Sequence, residues 1–69
     1  IGKLLDAELL REDMTLIDLG AGDGYLSRAV SPYVDTVMAI DISSAMLKEL
    51  IKKAEKQGLK NIRTIISDG

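Results

Sequence analysis

The chain has 69 residues, a formal net charge of −2, and neither cysteine nor histidine. That composition excludes disulfides, thiolate or imidazole metal sites and an imidazole acid or base, and no apolar run approaches the ~20 residues of a membrane-spanning helix. A chain of this size buries only about 60% of its unfolded surface, so it is short for a domain and has no covalent or metal staple to compensate.

Taken in chain order, Ile1, Leu4, Leu5 and Leu9 recur at helical spacing with Lys3, Asp6 and Glu8 between them, which predicts an amphipathic helix over 1–11. Glu12-Asp13 is a polar turn. Met14 to Leu19 is a short, nearly all-apolar run, the pattern of a parallel strand buried on both faces. Gly20 to Gly24 is a loop with three alternating glycines, and Asp18 stands just before it. A short helix follows from Tyr25 to Val30, and Ser31-Pro32 ends it, because the residue before a proline is pushed out of the helical region.

Thr36 to Ile40 is the second strand and runs into Asp41. Ser43 or Ser44 supplies an N-cap for a helix reaching about Gln57. Its apolar stripe is Met46, Leu47, Leu50, Ile51 and Ala54, and Glu49 precedes Lys53 by the spacing of a helical ion pair. Gly58 is placed for the left-handed C-cap. Ile62 to Ser67 is the third strand, with Asp68-Gly69 after it. Most lysines fall on the last helix and the segment after it. They read as a solvated helix face, so nucleic acid is not indicated.

The order α-β-α-β-α-β implies parallel strands with right-handed crossovers. The fold class is α/β: half of a doubly wound, Rossmann-like sheet, truncated after the third strand and read as the amino-terminal part of a single longer domain. The first strand is then left at an edge, where self-association through its free side is expected. Absence of cysteine and of a signal-peptide pattern fits a reducing, cytoplasmic setting.

In an open α/β sheet a glycine loop after one strand and a carboxylate after the next lie side by side at the carboxyl edge, where such sheets bind ligands. A phosphate loop carries Lys and Ser or Thr after its last glycine, whereas Gly24 is followed by Tyr25 and Leu26. The dinucleotide fingerprint wants Gly or Ala where Tyr25 stands. Asp18, Asp23, Asp41 and Asp68 all fall near this edge, which disfavours phosphates and suits a cationic nucleoside bearing an ammonium and a sulfonium. Asp41 can hold a ribose diol or cap the following helix. Asp68 can accept from an exocyclic amine or simply form a turn, and Asp23 fits the start of a helix.

Asp18-Leu19-Gly20-Ala21-Gly22-Asp23-Gly24 resembles the first motif of the class I S-adenosylmethionine-dependent methyltransferases. Ala39-Ile40-Asp41-Ile42-Ser43 is similar to their acidic segment at the second strand, and Ile66-Ser67-Asp68-Gly69 to their adenine-contacting segment. The resemblance implies S-adenosylmethionine as cofactor and an unidentified methyl acceptor. It implies that Asp18 orients the methionine amino group, and that Gly20, Ala21, Gly22 and Gly24 form the loop around the methionyl and ribose parts. Asp41 would bind the ribose hydroxyls, Ile42 would pack on adenine, and Asp68 with Gly69 would meet adenine N6. No catalytic acid or base is implied within these residues. An aminopropyltransferase using decarboxylated S-adenosylmethionine, an NAD-binding module and a non-catalytic domain of the same fold are the alternatives.

Overall fold

The computed structural model describes residues 11–67. The helix expected over 1–11 lies outside them but for Arg11, and so do Asp68 and Gly69. The elements are β1 (Thr15–Leu19), α1 (Tyr25–Val30), a 3-10 turn (Ser31–Tyr33), β2 (Thr36–Asp41), α2 (Ser44–Lys56) and β3 (Ile62–Ile66). The strands are parallel and lie in the order β1-β2-β3, so β1 is an edge among the described residues.

The local chemistry of each element explains its limits. Gly24, at φ +83°, caps the start of α1, and the α-helix ends at Val30 as expected, although Ser31 keeps helical angles and opens a 3-10 turn whose start tolerates Pro32. The Ser43 hydroxyl caps α2 by accepting from the Met46 amide at 3.2 Å. Its other end closes as Gly58 turns left-handed, with the Gly58 amide donating to Glu55 and the Leu59 amide to Ala54.

Register determines what each strand residue meets. Leu16, Val37 and Ile62 stand side by side, as do Asp18, Ala39 and Thr64, and both rows face the helices. Val30, Val34 and Val37 form the core beneath α1, while Ala39, Leu47, Leu50 and Ala54 form the core beneath α2. Ile62 packs against both. Val37, in the core beneath α1, and Ala39, in the core beneath α2, are two apart on β2 and so share one side of it, which puts α1 and α2 on one face. On the other face Ile17 and Leu19 are 62% and 65% exposed, which corrects the expectation that β1 is buried on both sides. Within α2, Met46 and Ile51 also stay exposed, so the buried stripe is the narrower Leu47-Leu50-Ala54 row.

Asn61, the residue before β3, ties the 3-10 turn to the sheet. Its Nδ2 donates to the carbonyls of Ser31 (2.9 Å), Val34 (3.0 Å) and Asp35 (3.1 Å), and its Oδ1 accepts from the Ser31 hydroxyl. Asn61→Ala is expected to destabilise the fold by about 2–3 kcal/mol, since one truncation strands several polar groups together. Urea unfolding of the variant against the parent measures this, and a shift below about 0.5 kcal/mol would show the network to be incidental.

Candidate functional site

The carboxyl ends of β1 and β2 are joined by their loops. The Gly20 and Ala21 amides both donate to the Ile40 carbonyl, at 2.8 and 3.0 Å. Two residues on, the Gly22 amide donates to Asp41 Oδ2 at 2.8 Å, and the Ser43 amide donates to Asp41 Oδ1 at 2.9 Å. Asp41 therefore clasps the glycine loop to the start of α2 through backbone groups alone. The Ser43 and Gly22 amides hold its carboxyl below the ordinary aspartate value of 3.8, so it is ionised at neutral pH. Each Asp41 oxygen has a further lone pair after accepting one bond.

The glycines differ in what surrounds them. A Cβ on Gly20 would meet nothing within 4 Å, so the loop is open on that side. A Cβ on Gly22 would meet Met46 Cε at 3.6 Å, and one on Gly24 would run into Leu50. Ala21 packs on the core beneath α2. Ile42 is 71% exposed immediately after Asp41, and the Ser67 amide bonds the Asp41 carbonyl at 2.9 Å, bringing the end of β3 to the same edge.

Asp18 stands apart from this cluster. It lies on the helix-facing side of β1, only 9% exposed, and its Oδ2 accepts from the fully buried Ser27 hydroxyl at 2.7 Å. Ser27 was missed by sequence reasoning, although a polar residue three before buried Val30 on a short apolar helix is a usable signal. Asp23 stands just before α1, as expected, where the Tyr25 amide bonds its carboxylate, and it also forms an ion pair with Lys53 of α2 at 2.8 Å. Lys53 thus serves the loop and not Glu49. The lysine's hydrogen bond and its charge lower the Asp23 carboxyl. Among the described residues, no group of three or more acidic side chains is arranged to hold a metal ion, and no helix is long and apolar enough to cross a membrane.

A family profile described as a methyltransferase domain matches residues 16–69. The uncharacterised methyltransferase YcgJ of Bacillus subtilis (strain 168) is 29% identical over 63 residues, covering 91% of this chain and 25% of that protein. Protein-L-isoaspartate O-methyltransferase of Petrotoga mobilis (strain DSM 10674 / SJ95) is 30% identical over 69 residues, 100% of this chain and 32% of that one. The crystal structure of YcgJ superposes with a TM-score of 0.85 at 28% identity, over 93% of this chain and 27% of that chain. A S-adenosylmethionine-dependent methyltransferase from Clostridium acetobutylicum ATCC 824 superposes with a TM-score of 0.78 at 33% identity, over 97% of this chain and 26% of that chain. The chain thus spans about a quarter to a third of the length of the curated relatives it matches. The profile covers most of the chain and the parallel sheet superposes on these structures: the chain belongs to the methyltransferase-domain family of the class I S-adenosylmethionine-dependent enzymes.

Proposed function

We propose that this chain forms the cofactor-binding side of a methyltransferase that uses S-adenosylmethionine and acts in the cytoplasm. The observation that carries the reading is Asp41: ionised, fixed by two backbone amides and flanked by the exposed apolar Ile42 at the carboxyl edge of the sheet. The residues present fit that cofactor. The open side of Gly20 admits a ligand close to the backbone. Asp41 has lone pairs left for a ribose diol, and Ile42 offers an apolar surface for adenine.

When bound, the cofactor supplies an electrophilic methyl group on a sulfonium. The chain's own residues hold and orient. Asp41 would accept from the ribose hydroxyls, Ile42 would cover the base, and Asp68 with Gly69 would receive the exocyclic amine. Gly20, Ala21, Gly22 and Gly24 shape the loop around the methionyl and ribose parts. Asp18, buried behind the loop with Oδ2 held by Ser27, would orient the amino group only through its other oxygen, Oδ1. None of these residues needs to move a proton, since transfer of this kind depends chiefly on alignment of the nucleophile with the methyl group. The acceptor, which these residues do not specify, is held elsewhere in the protein.

Calorimetric titration of the full-length protein with S-adenosylhomocysteine, NAD and ATP tests the reading. S-adenosylhomocysteine is expected to bind most tightly, and tighter binding of NAD would sink it.

A further inference from the structure

Beyond the bonds of its own turn and of α1, the segment from Gly22 to Gly24 is held by three contacts from β2 and α2. Asp41 holds the Gly22 amide, Lys53 holds the Asp23 carboxylate, and Leu50 fills the space beside Gly24. Two of them are dictated by the motif and the core. The third joins residues thirty positions apart, and nothing in the glycine motif requires a lysine at 53. Lys53 is also not satisfied locally: it passes over Glu49, four residues earlier on its own helix, and reaches Asp23 at 2.8 Å. One turn further along α2, Gln57 accepts from Arg28 of α1 at 3.1 Å, so the same side of α2 braces both the loop and the helix that follows it.

We infer that Lys53 is a positioning residue for the cofactor loop: its ion pair with Asp23 holds Gly22 to Gly24 in the conformation that presents the Gly22 amide to Asp41. The inference rests on the reading of this loop as the cofactor loop. Lys53 does not touch the cofactor. It acts by removing freedom from the loop before a ligand arrives, and a loop ordered in advance binds more tightly because less ordering is left to accompany binding. Both side chains of the pair are about 40% exposed, at 42% for Lys53 and 40% for Asp23, so water and salt weaken it. Its worth is that of a well-formed surface pair, and the expected change in affinity is about three- to fivefold.

The test uses the full-length protein and S-adenosylhomocysteine, which lacks the sulfonium charge and so contributes little salt dependence of its own. Lys53→Met keeps the length of the side chain and removes the charge. Its dissociation constant is expected to rise about three- to fivefold, as is that of Asp23→Asn, with the double variant no weaker than either single one. Lys53→Arg should restore affinity to within about twofold, since a second cation can meet the same carboxylate. Raising the salt from low to high should weaken the parent and leave Lys53→Met nearly unchanged. Amide hydrogen exchange on the ligand-free protein reads the brace without any cofactor: Gly22 and Gly24 should exchange faster in Lys53→Met. Unchanged affinity in Lys53→Met, or additive losses in the double variant, would overturn the inference whatever the exchange shows. Failure of the parent itself to bind S-adenosylhomocysteine would overturn the cofactor reading, and is seen before any variant is made.

Discussion

Gly24→Ala is expected to destabilise the protein by about 3 kcal/mol or more, from two independent causes. Gly24 sits at φ +83°, where a side chain costs about 1–2 kcal/mol. The new Cβ would also press against Leu50 Cγ and lie 2.6 Å from Leu50 Cδ1. Leu50 is fully buried at the centre of the core beneath α2 and cannot swing into solvent, and overpacking of this kind adds about 1–3 kcal/mol. Against a total stability of about 5–15 kcal/mol the sum is a large fraction. Gly20→Ala is the control. It shares the positive φ but meets nothing within 4 Å, so it should lose only the backbone part. Thermal or urea unfolding of the two variants separates strain from packing. Equal losses would show that the close approach of α2 to the loop is not what demands glycine at 24.

Asp41→Ala is expected to weaken S-adenosylhomocysteine binding by roughly ten- to a hundredfold, the scale of hydrogen bonds to a charged group. The loss has two origins: the acceptor for the ribose hydroxyls goes, and so does the clasp between the Gly22 and Ser43 amides. Asp41→Asn should fall close to alanine and not midway. Only one branch of an amide accepts, and its NH2 branch must then face the amide of either Gly22 or Ser43, donor against donor. Calorimetry on both variants decides. Parent-like affinity in both would reduce Asp41 to a helix cap.

Much of the scaffold was legible because its signals are local. The three glycines before α1 all take positive φ, Ser43 caps α2, Gly58 closes it, and each strand begins and ends within a residue or so of its apolar run. The Asp41 clasp was half legible: an acid ending a strand beside a glycine loop could be placed, but not its grip on the Gly22 amide. The rest depends on tertiary pairing between residue types common on any surface. Lys53 looked like the partner of Glu49 because helical spacing is the only neighbour relation that a sequence displays; the fold offered it Asp23 instead. Asn61 gave no sign of serving three carbonyls on a turn far behind it in the chain. The exposure of Ile17 and Leu19 was missed for a different reason. An apolar run reports how a strand can be covered, not which of its sides these residues themselves cover.

That uncovered side has a thermodynamic consequence. Ile17 and Leu19 stay about two-thirds exposed while the sheet is folded, so their hydration changes less on unfolding than that of a buried residue. They contribute correspondingly less to the heat-capacity increment of unfolding, which tracks newly exposed apolar surface. The stability curve of the chain by itself is therefore flatter with temperature than its count of isoleucines and leucines suggests. Any surface that settles over this side, from the same protein or another, carries a negative heat-capacity change as its signature, legible in a calorimeter before the geometry of the contact is known.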